Sequence, residues 1–298
     1  MKWHGVVPAI TTPFLEDLSI DHDFLGRHAG ILVEAGCTGI VALGSLGESA
    51  TLSFEEKGAV LRTLRSALGG RVPLVAGIAA LSTREAVDLA RDAARAGCDG
   101  LMVLPPYVYR GEGRETEAHF GAVLSATDLP CMLYNNPIAY GTDVLPPRIA
   151  ALAEENPNLV AVKESSADIR RITEIRSLVG ERLSLFVGVD DLIVEGIAVG
   201  AVGWIAGLVN ALPEESVRLF DLARSGKREA ASALYDWFLP LLRLDTVPKF
   251  VQLIKLVQEE AGIGSERVRP PRLVLEGAER AAAVRLIRRG LSTRPAGR

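Results

Sequence analysis

The chain has 298 residues, 48% of them apolar and 23% charged, enough to bury a large core as one domain or two smaller ones. A net charge of −4 gives no basic field for nucleic acid. No run approaches the roughly 20 apolar residues of a membrane span, and the first residues lack the long apolar stretch of a signal peptide, so a cytoplasmic protein with no membrane partner is expected.

Short β-rich runs alternate with amphipathic helical stretches from end to end, the pattern of parallel strands joined by helical crossovers. Strands are predicted at 5–10, 39–44, 73–78, 100–104, 130–135, 159–164, 183–189 and 203–208. Ser53-Phe54-Glu55-Glu56 and Ser82-Thr83-Arg84-Glu85 read as capping boxes that open the helices after the second and third strands. Gly36, Gly97 and Gly200 each follow a helical stretch and precede a strand, as C-terminal helix stops do. Eight such units without a linker fit a (β/α)8 TIM barrel better than a doubly wound sheet, which usually shows fewer strands and a GxGxxG turn. The expected organisation is a catalytic barrel over 1–225 and a helical extension over 226–298, with helices near 227–242, 247–262 and 277–289 packed on a barrel flank or a subunit contact.

In a barrel the chemistry sits where strands end. The sixth run, Leu159-Val160-Ala161-Val162-Lys163, delivers one amine to the rim. Only six of the 33 basic residues are lysines, so a lysine here suggests that an amine is needed. A lysine walled in by apolar groups can attack a carbonyl to form a Schiff base, whereas arginine stays protonated. Pairing of Lys163 with Glu164 is the structural alternative.

The second strand ends in Gly44-Ser45-Leu46-Gly47-Glu48, whose backbone N–H groups could hold a carboxylate beside a hydroxyl. The fifth ends in Tyr134-Asn135-Asn136-Pro137, the seventh in Gly188-Val189-Asp190-Asp191, and the eighth in Gly203-Trp204-Ile205-Ala206-Gly207 with Asn210 beyond it. Taken singly, Tyr134 reads equally as a packed aromatic, Ser45 as a turn former and Asp190 as a helix cap. Together they supply an amine, a proton shuttle and carboxylate donors. Cys37, Cys98 and Cys131 read as buried thiols, and the four histidines show no metal-binding spacing, so neither a metal nor a cofactor is expected.

Through Gly44-Ser45-Leu46-Gly47-Glu48, Tyr134-Asn135-Asn136-Pro137, Val162-Lys163-Glu164-Ser165 and Gly188-Val189-Asp190-Asp191, the chain resembles the dihydrodipicolinate synthase and N-acetylneuraminate lyase family over nearly its whole length. The resemblance implies Lys163 as the imine-forming lysine, Tyr134 as the proton shuttle, and Ser45 with neighbouring amides as the carboxylate site. Leu46, Asn136, Gly188, Asp190, Asp191 and Ile205 are the expected substrate contacts. It further implies a homotetramer built as a dimer of dimers, and no cofactor.

Two departures bear on substrate. Dihydrodipicolinate synthases usually carry a second tyrosine after Pro-Tyr at the fourth strand; here Pro106-Tyr107 is followed by Val108, which interrupts that proton relay unless Tyr109 replaces it. Those synthases also carry an arginine where this chain has Ala139. Asp190 and Asp191 would suit a hydroxylated substrate, and through Ser45-Leu46-Gly47-Glu48, Pro105-Pro106-Tyr107-Val108-Tyr109, Tyr134-Asn135-Asn136-Pro137 and Leu244-Asp245-Thr246-Val247-Pro248-Lys249 the chain looks most like Δ1-pyrroline-4-hydroxy-2-carboxylate deaminases, which release ammonia and 2-oxoglutarate semialdehyde. Dihydrodipicolinate synthesis, sugar-acid cleavage or dehydration, and a catalytically silent ligand-binding barrel are the competing readings.

Overall fold

A computed structural model describes residues 2–295. All eight predicted strands form: β1 (Gly5–Pro8), β2 (Ile40–Ala42), β3 (Leu74–Ile78), β4 (Gly100–Val103), β5 (Cys131–Asn135), β6 (Leu159–Glu164), β7 (Ser184–Val187) and β8 (Gly203–Ala206). Most end earlier than predicted, because the chain leaves the sheet at the residues that build the rim. Every pairing is parallel, in the order β1-β8-β7-β6-β5-β4-β3-β2. The remaining seam is closed by a bridge from Ala9 to Val41, with Ile10 donating to the Val41 carbonyl at 2.9 Å and Thr38 to that of Val6 at 2.9 Å. The fold is a (β/α)8 TIM barrel.

Helices α1 (His22–Glu34), α2 (Phe54–Leu68), α3 (Thr83–Arg95), α4 (Gly113–Leu124), α5 (Pro137–Tyr140), α6 (Pro146–Glu155), α7 (Arg170–Val179), α8 (Ile193–Ala198) and α9 (Pro213–Arg224) follow the strands. Ser53 and Glu56 form the reciprocal capping box at α2, whereas at α3 Ser82 caps Glu85 without a return bond. Gly36, Gly97 and Gly200 have φ of 102°, 80° and 107°, the left-handed conformation that glycine adopts without a Cβ clash. The three cysteines are buried and free, and burial pushes each thiol up to about 12.

Beyond α9 come α10 (Arg228–Leu242), α11 (Phe250–Glu260) and α12 (Gly277–Ser292). Phe238, Leu242, Val251 and Ile254 join the barrel's apolar cluster, so one core runs from the strands into these helices. The extension also reaches the C-terminal mouth of the barrel. Among the described residues no helix is long and apolar enough to cross a membrane.

Candidate active site

Parallel register places Tyr134 on β5 directly beside Lys163 on β6. The Lys163 ammonium lies 4.0 Å from the centroid of the Tyr134 ring, and the lysine is only 6% exposed. Glu164, one residue on, points to the other face of the strand. It accepts from the Asn135 side-chain amide at 3.1 Å and from the Ser166 N–H at 2.7 Å, so the alternative pairing with Lys163 does not form. Gly188, at the end of β7, lies under the Lys163 stem. A Cβ there would sit 2.5 Å from Lys163 Cε and 2.8 Å from Cγ, and against Ser165 Oγ. This glycine makes room for the lysine.

The turn after β2 is bracketed by two non-glycine residues in the left-handed region, Leu43 (φ 61°) and Glu48 (φ 54°). Such residues persist only where surrounding contacts hold them, and they concentrate at functional sites. Several contacts hold this turn. Thr12 Oγ1 donates to the Gly47 carbonyl at 2.7 Å, and Leu43 lies so close over Gly77 that a Cβ there would be 2.7 Å from its carbonyl oxygen. Glu48 is fully buried and takes the Lys255 ammonium at 2.5 Å on one oxygen and the Arg269 N–H at 3.0 Å on the other. The extension therefore clamps the turn from 207 residues away. Among the described residues, the amide N–H groups of Ser45 and Leu46 donate no hydrogen bond.

The Ser45 hydroxyl hydrogen-bonds the phenol of Tyr140. Tyr140 meets Tyr134 edge-on, with centroids 5.7 Å apart, and Tyr107 at 5.3 Å. Burial, followed by repulsion from the neighbouring phenols, holds the Tyr140 hydroxyl well above its ordinary pKa; burial likewise raises that of Tyr107. Both therefore stay protonated and able to donate. Asn136 sets this arrangement: its amide donates to the Tyr134 hydroxyl at 3.0 Å, while its oxygen caps α5 at the Ala139 N–H, 3.0 Å away. Within the same chain, α5 brings the Tyr140 phenol to Ser45. Tyr109 stands apart from this group. It is exposed and bonds Glu115 at 3.0 Å.

Between β7 and β8 the residues divide. Asp190 is fully buried and accepts from Trp204 Nε1 at 2.9 Å, the Gly207 N–H at 3.1 Å and the Leu208 N–H at 2.8 Å. Its carboxylate is occupied by the protein rather than held out to a ligand, and burial still pushes its pKa up to about 6. Asp191 faces Arg243 at 3.4 Å, and its carbonyl accepts from Tyr235. Leu46 and Ile205 are buried apolar wall. Asn210 ties β8 to β1, donating to the carbonyls of Ala9 at 2.8 Å and Gly207 at 2.9 Å while accepting from the Thr11 N–H at 3.2 Å. Among the described residues, no three histidine, cysteine, aspartate or glutamate side chains gather as metal ligands would.

Sequence reading gave no role to Tyr140, Lys255 or Asp245. Tyr140 left a local signal, as the aromatic that closes a Pro-Ile-Ala-Tyr-Gly turn after a rim motif, and Asp245 stands in the Leu244-Asp245-Thr246-Val247-Pro248-Lys249 segment that carries part of the resemblance.

An amine on β6, a phenol against it and a hydroxyl-bearing turn after β2 are the arrangement of a Schiff-base lyase barrel. The chain belongs to the dihydrodipicolinate synthetase family, which matches over residues 2–289. A 4-hydroxy-tetrahydrodipicolinate synthase of Methanopyrus kandleri is 35% identical over 268 residues, 90% of this chain and 89% of that one. The structure of the 4-hydroxy-tetrahydrodipicolinate synthase of Methylacidiphilum fumariolicum superposes with a TM-score of 0.92 at 30% identity, covering 98% of this chain and 95% of that one. A prophage protein of the dihydrodipicolinic acid synthase family from E. coli K12, solved in complex with pyruvate, superposes with a TM-score of 0.91 at 27% identity, covering 97% and 99%.

Proposed function

We propose that Lys163 forms an imine with a small 2-oxo acid of the pyruvate class, whose carboxylate rests on the Ser45 and Leu46 amides and the Ser45 hydroxyl. The observation that carries this reading is the Lys163 ammonium 4.0 Å over the Tyr134 ring, with Gly188 clearing its path. The amine attacks the 2-oxo carbon and water leaves. Tyr134 then takes a proton from C3 to form an enamine, and Ser45 and Tyr140 extend the hydroxyl chain that returns it. The pyruvate complex of the E. coli relative supports the choice of ligand.

For the net reaction, the names of the relatives favour 4-hydroxy-tetrahydrodipicolinate synthesis. The enamine would add to the aldehyde of aspartate semialdehyde, and the amine of that substrate would then displace Lys163 as the ring closes. The second reading, deamination of Δ1-pyrroline-4-hydroxy-2-carboxylate, is favoured by Ala139, which stands exposed where the synthase pattern has arginine. There Lys163 would exchange with the ring nitrogen, the 4-hydroxyl would leave as water, and hydrolysis of the terminal imine would release ammonia. Val108 is 87% and Ile138 72% exposed on the loops after β4 and β5, apolar surface that supports a homo-oligomer such as the family's tetramer.

The test is to offer pyruvate with aspartate semialdehyde in one assay and Δ1-pyrroline-4-hydroxy-2-carboxylate in another, and to trap pyruvate with borohydride. A kcat/KM above about 10⁴ M⁻¹s⁻¹ in one assay only assigns the reaction. An unmodified Lys163 peptide after trapping overturns the imine.

A further inference from the structure

Asp245 closes a short 3₁₀ turn, Arg243–Asp245, between α10 and α11, and reaches back to the barrel mouth. Its carboxyl fills the space that a side chain at Gly207 would need: a Cβ there would be 2.8 Å from Asp245 Oδ2 and closer still to Oδ1. Gly207 is the first residue past β8, which carries Gly203 and Ile205. Gly203 looks onto the Phe186 ring, and Phe186 pairs in register with Lys163, so this side of β8 faces the barrel interior. The mouth thus has two glycine-backed niches, one at Gly188 holding Lys163 and one at Gly207 holding Asp245.

Asp245 Oδ1 is shut off from solvent and, among the described residues, has no hydrogen-bond partner. A buried carboxyl oxygen without a partner is costly and is retained where something else supplies the bond. The neighbouring groups do not supply it. Asp190 has given both oxygens to three N–H donors, and Asp191 faces Arg243. Burial first, then the charge of Asp190, raises the Asp245 carboxyl well above the ordinary carboxylate range, while the Lys163 charge acts the other way.

In the ring of strands, β8 stands two places from β6, which carries the imine lysine, and two from β2, which leads to the carboxylate turn. The Lys163 charge acts on the carboxyls of both Asp190 and Asp245, so Asp245 stands near the lysine that would hold C2 of the ligand. Both net reactions considered above put an oxygen on C4.

We propose that Asp245 is a specificity-determining residue that hydrogen-bonds a hydroxyl on C4 of the ligand held by Lys163. The inference rests on the Schiff-base reading but not on which net reaction is correct.

The test uses two matched 2-oxo acids, 2-oxobutanoate and 4-hydroxy-2-oxobutanoate, which differ by that hydroxyl. Each is titrated against the whole chain with borohydride, and the half-saturating concentration for the Lys163 adduct is read by mass. The wild-type chain should take the hydroxylated acid at about tenfold lower concentration or better, as expected for a bond to a buried polar group. Asp245→Leu and Asp245→Ala should bring that ratio, read within each variant, to about one while 2-oxobutanoate is still trapped. Absence of a preference in the wild type, or its survival in either folded variant, overturns the proposal. So does loss of 2-oxobutanoate trapping in both variants, or failure of both to fold, since the carboxyl would then be structural. No adduct with either acid on the wild-type chain is the separate result that removes the Schiff-base reading itself.

Discussion

Gly188→Ala tests whether the lysine is placed as the geometry indicates. The φ of Gly188 lies outside the left-handed region, so alanine meets no backbone penalty and the effect comes from the methyl alone. That methyl would lie 2.5 Å from Lys163 Cε, about 0.9 Å short of the 3.4 Å at which ordinary contact begins. The stem must swing away by nearly that amount, and the Ser165 hydroxyl, which the methyl meets more closely still, must turn aside as well. Overpacking of this kind costs about 1–3 kcal/mol, and at about 2–4 °C per kcal/mol for a large domain the melting temperature should fall by a few degrees. Displacing a reacting group by about 1 Å costs roughly 10²-fold in rate. The variant should therefore stay folded while its rate of borohydride trapping with pyruvate falls about a hundredfold. A Gly188→Ala protein that traps pyruvate at the wild-type rate would refute the reasoning, since Lys163 would not need the path the glycine clears.

Tyr134→Phe should lose about 10²- to 10⁴-fold in turnover, the usual contribution of a positioned proton-transfer group. Tyr140→Phe should lose turnover through the same chain yet still form the pyruvate adduct; full activity would exclude Tyr140 from the relay. Lys255→Met leaves the buried Glu48 with only the more distant Arg272 guanidinium, at 3.9 Å, for a cation and should destabilise by about 3 kcal/mol in urea unfolding, and adding Glu48→Gln should recover part of that loss. If the single variant unfolds at the wild-type midpoint, the clamp on the turn is not energetic. Burial pushes His28 down to about 4 from 6.5 while its Nε2 sits 2.9 Å from the Asn210 carbonyl. The unfolded chain then binds a proton that the folded chain refuses, so this contribution is complete above pH 6.5 and is lost as pH falls towards 4. Between pH 7.5 and 4.5 the wild type should lose about 2–3 kcal/mol more than His28→Leu, and equal losses in urea titrations would contradict it. Dialysis against a chelator should leave the rate unchanged; activity restored by one divalent ion would place a metal in the reaction.

The strands and helices were legible in sequence because their signals are local. Apolar runs broken by glycine stops set where each strand begins, and a polar residue at the end of such a run, as at Lys163 or Tyr134, can be recognised from its own segment. Period-two alternation also tells that Lys163 and Glu164 face opposite ways, though not which of them faces the interior. Beyond the strand ends that periodicity stops. Asp190 stands in the same tetrapeptide as Asp191 but turns into the protein, because the Trp204 indole and two backbone amides await it there. Tyr140 meets Ser45 only through the orientation of the four-residue α5 helix, which Asn136 sets. Lys255 comes from a helix, and Asp245 from the turn before it, in an extension that pattern alone placed on a flank or a subunit contact. Their partners, Glu48 and the niche at Gly207, are brought to them by packing of the whole chain. Sequence periodicity carries the direction of a side chain within an element; the meeting of elements far apart in the chain is decided by how the core closes.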